Sequence, residues 1–357
     1  MTTNKTFGWA IIGPGAIAHQ FADAVHRSRF GNGSNEENTA LHTRTVAVFG
    51  RDKTNAQTFA THWNRDGVPE IIVADSIDAL LANPNIDGIY IATPNTAHFD
   101  AACAAIETGK AVLCEKPLVP TAMMAERLIA LAKENNIFLM EALWTRFLPI
   151  YADVTAWLHD TRDGHHLGRV RSVQSSFCFN SPINPTARHF NPALAGGALL
   201  DLGIYCLGMS RWVLQAAYGA TPALQHLHAR GVLGATGVDT RVSATLEYAQ
   251  DINVQFVCGF DGSANNSLEI YCEYGTISVH KYFWAASQAT IQITGQATYT
   301  HSNPHRYNGF EYQMEEVIRC VRAGLIESPM MPHRESLELA ANLQQIREHI
   351  GVKYPFE

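Results

Sequence analysis

The hydrophobic pattern of the chain changes character partway along, and each half predicts a different kind of sheet. Phe7–Ile12 is a short, nearly continuous apolar run, too short for a helix and bounded by a glycine turn, so it reads as a buried strand. Runs at 45–49, 71–73, 88–92, 111–114 and 137–140 read the same way. Between them apolar residues recur at helical spacing: after Ile17, and over 57–63, 77–82, 97–108 and 121–135. Ser76 is placed to cap the 77–82 helix. Strand alternating with helix requires crossover connections, so the expected class is α/β, with an N-terminal doubly wound parallel sheet of Rossmann type. The polar stretch 27–44 reads as an exposed loop.

From Arg169 onward the pattern changes to alternation, first over Val170, Ser172, Val173, Ser175, Phe177 and Phe179, then over 242–248, 252–260, 267–274 and 276–279. With few helices between these stretches, an antiparallel sheet is expected. One helix, 196–214, interrupts it, and helices at 313–323 and 335–350 close the chain. The predicted organisation is a dinucleotide-binding domain over 1–142 and an α+β domain over 143–357, with the last helix expected to pack back on the first domain.

Composition agrees with this division. A chain of 357 residues suits two domains at about 100–200 residues each. With 46% hydrophobic and 17% charged residues it can bury a sizeable core. The net charge of −7 advertises no basic face for nucleic acid or anionic membrane. No apolar leader and no run of about 18 apolar residues stands out, so no membrane partner is expected. Seven cysteines without a C-x-x-C pair read as buried small hydrophobes in a reducing, cytoplasmic setting.

The candidate chemistry lies where the first set of strands ends. Gly13-Pro-Gly-Ala-Ile-Ala18, between a strand and a helix, has the dinucleotide fingerprint. Gly13 permits the tight turn, Gly15 lets the backbone approach a pyrophosphate, and Ala18 packs helix on sheet. The helix-start N–H groups of Ala16 and Ile17 suit the anion. Arg51, at the tip of the second strand, suits a 2′-phosphate, which favours NADP, and Asp52 beside it keeps NAD open. Thr93, Pro94, Asn95 and His98 follow the 88–92 strand, and Glu115-Lys116-Pro117 follows the 111–114 strand. Ligands of such sheets bind at these carboxyl ends. Trp144 and Arg146 are placed to stack on or hydrogen-bond to a nicotinamide or substrate. Asp201 and Tyr205, four residues apart on a predicted helix after the Gly196-Gly197 pair, share a face. The bland alternatives are a snorkelling strand-end lysine, a surface His98, a 141–149 segment that only packs domains, and a structural Asp201. No metal-ligand spacing occurs, and no metal is expected.

In this order, the Gly13–Ala18 motif, Glu115-Lys116-Pro117 and Gly196-Gly-Ala-Leu-Leu-Asp-Leu-Gly-Ile-Tyr205 resemble the glucose–fructose oxidoreductase/inositol dehydrogenase (Gfo/Idh/MocA) superfamily. The resemblance covers essentially the whole chain. Met140-Glu-Ala-Leu-Trp-Thr-Arg-Phe147 and the ending Ile350-Gly-Val-Lys-Tyr-Pro355 are similar to its dimeric dihydrodiol dehydrogenase and NADP-dependent D-xylose dehydrogenase group. The resemblance implies hydride transfer between a nicotinamide and a hydroxyl or carbonyl carbon of a sugar or trans-dihydrodiol. It places Lys116, Asp201 and Tyr205 at catalytic positions, Tyr205 standing where inositol dehydrogenases carry histidine. A phenol is a poor base at neutral pH, and a neighbouring ammonium favours its phenolate. Tyr205 would then be the general acid/base, with Lys116 also holding the substrate oxygen and Asp201 orienting either the lysine or the substrate hydroxyl. The implied cofactor contacts are Gly13, Gly15, Ala16, Ile17, Arg51, Thr93, Pro94, Asn95, His98, Glu115, Lys116, Trp144 and Arg146. His98, Trp144 and Tyr307 are further substrate-pocket candidates. The open sheet of the second domain is implied to form a homodimer or higher homo-oligomer. The 27–44 loop and Gln313, where the group often has glutamate, depart from the pattern. A nucleotide sensor on the same fold and a redox-assisted glycosidase that retains its cofactor are the competing functions.

Overall fold

The structure is a computed structural model that describes residues 5–30, 42–64, 69–162 and 164–357. The chain divides into two compact units, Met1–Trp144 with Arg306–Ala340, and Thr145–His305 with Ala341–Glu357.

In the first unit the alternation is realised as β1 (Phe7–Ile12), α1 (Ala16–Phe30), β2 (Thr43–Phe49), α2 (Lys53–Trp63), β3 (Ile72–Val73), α3 (Ile77–Leu81), β4 (Gly88–Ile91), α4 (His98–Glu107), β5 (Ala111–Glu115), α5 (Ala122–Asn135) and β6 (Leu139–Ala142). Every strand pairs in parallel, in the order β3-β2-β1-β4-β5-β6. The order reverses between β1 and β4, which is where such sheets bind ligands. The interior strands are apolar on both faces because helices cover both sides. Ile12, Ile89, Ile91 and Val112 share one buried cluster with Ala102, Ala105, Leu128 and Ala132 of the covering helices, and Leu337 and Ala340 pack against it.

Helix ends follow their capping residues. Ser76 accepts the Ala79 N–H, as expected, and Thr121 accepts that of Met124. Part of the predicted 27–44 loop is regular structure, since α1 continues to Phe30 and β2 begins at Thr43. The remainder, 31–41, lies outside the described residues.

The second unit holds α6 (Pro149–Leu158), β7 (Val170–Cys178), a π-helical turn Leu199–Gly203 leading into α7 (Ile204–Tyr218), and then β8 (Leu224–Leu233), β9 (Asp239–Tyr248), β10 (Ile252–Gly259), β11 (Leu268–Cys272), β12 (Gly275–Val279), β13 (Gln288–Ile293) and β14 (Tyr299–Ser302). The sheet order is β14-β13-β12-β11-β7-β10-β9-β8. It is mostly antiparallel, as the alternation predicts, but β7 and β10 pair in parallel. Val173, Val242, Leu246 and Val254 point to the buried face, while Gln174, Ser243 and Gln255 are exposed on the other.

Three strands and one helix escaped the sequence reading. β8, Leu-Gln-His-Leu-His-Ala-Arg-Gly-Val-Leu, is an edge strand with no fully buried face and so no clean alternation. β14 is the opposite edge and is polar, and β13 beside it fully buries only Ala289. The missed helix, α6, starts at Pro149, where a proline is tolerated because its missing N–H would have had no helical partner. One helix, Pro192–Tyr218, is long and apolar enough to cross a membrane, against expectation, but 83% of its apolar window is buried inside the protein, as in a core helix.

The chain then adds α8 (Phe310–Arg322) to the first unit and ends with α9 (His333–His349), within which the unit boundary falls. α8 begins three residues before the predicted 313. Glu311 in its first turn is fully buried and accepts the N–H groups of Tyr307, Asn308 and Gly309, which terminates the preceding loop.

Candidate active site

The carboxyl ends of β1, β4 and β5 carry the first group of predicted residues. Gly13 takes a φ of +94°, and a Cβ there would sit 2.7 Å from the Ala92 carbonyl. Only glycine makes this turn beside β4. Gly15 has open space where a Cβ would be, and Gly15, Ala16 and Ile17 are exposed while Ala18 is fully buried. The first N–H groups of α1 therefore face outward without helical partners, a surface that fits a dinucleotide pyrophosphate. At the tip of β2, Arg51 is exposed. Asp52 is engaged as the N-cap of α2, accepting from Thr54 N at 2.9 Å and Asn55 N at 3.2 Å.

Lys116 sits half-buried after β5, and buried side chains from three elements hold the backbone around it. Glu115 accepts the Lys116 N–H at 3.2 Å and the Tyr90 hydroxyl at 2.5 Å. Glu141 of β6 accepts the Leu118 N–H at 2.8 Å. His98 faces the Pro117 carbonyl with Nδ1, at 2.9 Å, and the Thr93 carbonyl with Nε2, at 3.0 Å. Glu115 and His98 were expected to meet the cofactor, and His98 the substrate as well. Both carboxylate oxygens of Glu115 and both ring nitrogens of His98 are instead engaged within the protein, and His98 is 1% exposed. Burial pushes His98 below the ordinary histidine range, and the Pro117 and Thr93 carbonyls pull it back. Thr93 and Pro94 remain partly exposed beside this frame, and Asn95 is buried at the start of a short 3₁₀ turn.

Trp144 stacks on Phe310, ring centres 4.8 Å apart, and is largely buried. Arg146 is buried and donates to Gln215 at 2.5 Å. Tyr307 lies in the loop before α8, its N–H on Glu311 and its ring beneath Arg306. These contacts give all three residues a packing role.

In the second unit the predicted regular helix over 196–214 opens with the π turn, and Asp201 lies inside it while Tyr205 lies in the first turn of α7. Such turns alter helical periodicity and recur at functional sites. Asp201 pairs with Arg188 at 3.1 Å, a residue the sequence reading missed because it lies in an irregular stretch. Tyr205 is 7% exposed, with its ring 5.6 Å from that of Phe177. Phe177 stacks on Trp284, centres 3.3 Å apart, so an aromatic wall stands beside the phenol. The alternation that identified β7 places Phe177 on the inner face, but its pairing with Trp284 is long-range and had no local signal. Lys116 belongs to one unit and Asp201 with Tyr205 to the other.

A family model described as an oxidoreductase family with an NAD-binding Rossmann fold matches residues 7–143, and the C-terminal domain model of the same family matches 157–278. Trans-1,2-dihydrobenzene-1,2-diol dehydrogenase of Xenopus laevis is 31% identical, over 97% of this chain and 99% of that protein. The mouse enzyme of the same name is also 31% identical, with 97% and 98% covered. Among solved structures, the 3-ketoreductase KijD10 from Actinomadura kijaniata, in complex with NADP and TDP-benzene, superposes with a TM-score of 0.80 at 23% identity, covering 96% and 98% of the two chains. Aldose-aldose oxidoreductase from Caulobacter crescentus gives 0.79 at 23% identity, with 97% of each chain covered. The chain belongs to the Gfo/Idh/MocA family and is an NAD(P)-binding oxidoreductase.

Proposed function

We propose that the protein is an NADP-dependent dehydrogenase/reductase acting on a CH–OH or carbonyl carbon of a sugar or trans-dihydrodiol. The observation that carries this reading is the frame around Lys116, in which Glu115, His98 and Glu141 fix the backbone of a strand-end lysine beside the site of the fingerprint turn. Rigid support of this kind suits a group that must hold a reacting oxygen. When bound, the nicotinamide supplies or accepts the hydride. Tyr205 moves the hydroxyl proton as general acid/base, Lys116 favours its phenolate and holds the substrate oxygen, and Asp201 orients the substrate hydroxyl. The aromatic wall of Phe177 and Trp284 suits the apolar face of a sugar ring or an arene diol.

NADP is preferred over NAD because Asp52 is engaged as a helix cap while Arg51 stands exposed. The dinucleotide-binding role is assigned to residues 1–142, and substrate binding and dimerisation to 143–357. The exposed face of the second sheet has a concavity of about 560 Å3 lined by Gln174, His228, Arg230, Ser243, Thr245 and Gln255, and supports self-association. All seven cysteines are free thiols, in keeping with a cytoplasmic location.

The test is absorbance of the reduced nicotinamide, with NADP⁺ or NAD⁺ against a panel of aldoses and trans-dihydrodiols, for wild type and Tyr205→Phe. Turnover with NADP⁺ that drops by about 100-fold or more in the variant is expected. Full activity in the variant removes Tyr205 from the mechanism. Tight cofactor binding without turnover on any substrate moves the protein to the sensor class, and release of a glycoside's leaving group without net cofactor change moves it to the glycosidases.

A further inference from the structure

The π turn that carries Asp201 starts from a glycine pair, and buried charge faces that pair. Asp239, the first residue of β9, is fully buried, and its Oδ2 accepts the Leu199 N–H at 2.6 Å. Gly197 has a φ of +126°, and a Cβ on it would lie 2.2 Å from Asp239 Oδ1. The glycine is therefore needed to let the carboxylate reach the start of the turn, where helical N–H groups have no partner of their own. The residue before it is held as well, because the Tyr354 hydroxyl donates to the Gly196 carbonyl at 2.6 Å. Arg347, buried, lies under the Tyr354 ring at 4.6 Å and pairs with Glu357. Arg347, Glu357 and the phenol of Tyr354 are the charged and titratable groups on the tail side, and the Cys258 thiol faces Asp239 from the sheet. Burial pushes Asp239 up to about 6, against the Leu199 N–H and the Arg347 guanidinium, which favour its carboxylate.

We propose that Asp239 is a positioning residue for the reaction. It holds the first turn of the segment from which Asp201 and Tyr205 project, with Gly197 giving it access and the Tyr354–Arg347 tail bracing the other side. Nothing in the sequence pattern marks Asp239, which reads as an ordinary strand start. The proposal rests on the reading of Tyr205 as the acid/base, so Tyr205→Phe serves as the control throughout.

The experiment uses full-length Asp239→Ala, Asp239→Asn and Gly197→Ala with NADP⁺ and the substrate that turns over in the panel, alongside circular dichroism, NADP⁺ binding and amide hydrogen exchange. In Asp239→Ala and Gly197→Ala, kcat should fall by about 100-fold, the scale of a misplaced catalytic group, while the Kd for NADP⁺ stays within about twofold. Exchange should rise in peptides covering 197–205 and stay unchanged in those covering 7–30 of the first unit. Asn, whose amide oxygen can accept the Leu199 N–H, should restore kcat to within about threefold of wild type. Wild-type kcat in either folded variant, with Tyr205→Phe inactive, overturns the positioning role alone. A fall in kcat matched by global loss of circular dichroism and raised exchange everywhere also overturns it, since Asp239 is then structural only. If Asp239→Ala does not fold, Gly197→Ala and Asp239→Asn decide the matter, and hydrogen exchange does so without a substrate. Full activity in Tyr205→Phe instead sinks the acid/base reading, and the exchange data then report on Asp239 by themselves.

Discussion

His98 stands at the carboxyl end of β4, the place where a ligand contact is expected, yet it joins two backbone carbonyls from neighbouring strand-end loops. Glu115 is likewise turned onto Tyr90, whose ring stacks on Phe21 of α1 at 3.9 Å. The residue type and position were legible in the sequence; the direction of the side chain was not, because it depends on partners 19 to 25 residues away. Arg51 is the residue-scale test of cofactor choice. Replacing it with Gln should raise the KM for NADP⁺ about tenfold or more, the cost of a charge-assisted phosphate contact, and leave that for NAD⁺ nearly unchanged. Asp239 gives a pH test. Its folded value near 6 lies above the ordinary 3.8, so the folded state holds the proton more tightly. Its favourable contribution is complete below about 3.8 and is lost as pH rises through about 6, by about 3 kcal/mol over the window. Urea unfolding at pH 4 and pH 7 should therefore show wild type losing stability relative to Asp239→Asn as pH rises. An unchanged difference would mean that Asp239 titrates as it does in the unfolded chain.

At the scale of elements, the strands of the first sheet were visible because burial on both faces makes them uniformly apolar, and β7, β9 and β10 because one face is wet. The edge strands β8 and β14, and β13 next to one of them, carry neither signal. The π turn at Leu199–Gly203 was also invisible locally, since the same residues would continue a regular helix. It coincides with the close approach of Gly203 to the sheet, where a Cβ would meet Cys258 Sγ at 2.9 Å. The start of α8 is governed by one buried carboxylate. Glu311→Ala leaves the N–H groups of Tyr307 and Gly309 without their acceptor and should cost about 2–4 kcal/mol. Thermal denaturation should show Tm lower by roughly 5–10 °C, with Glu311→Gln intermediate, whereas an unshifted Tm would assign the capping to other groups.

At the scale of the molecule, the exposed sheet face bears on oligomeric state. Its outward residues are polar and small, with Gln174, Ser243 and Gln255 alternating against the buried Val173, Val242 and Val254. Light scattering should give twice the mass of a 39.3 kDa chain. Gln255→Lys combined with Ser243→Lys, placing like charges across β9 and β10, should shift the mass toward one chain while leaving circular dichroism unchanged. A wild-type monomer, or a dimer indifferent to these substitutions, would move the interface elsewhere.

Short-range pattern encodes part of this molecule directly. That covers the two sheet classes, the fingerprint turn at Gly13, the strand-end place of Lys116, and the Gly-Gly-to-Tyr205 segment. Each rests on periodicity or on a backbone conformation that only glycine adopts, and both are local properties. Which polar groups are engaged within the protein depends on the packed chain. Glu115, His98 and Asp52 are engaged internally, Arg188 joins Asp201, and Asp239 reaches Leu199 from 40 residues away. A buried polar group must find a partner wherever the packed chain brings one within hydrogen-bond reach, and no window of sequence contains that distance.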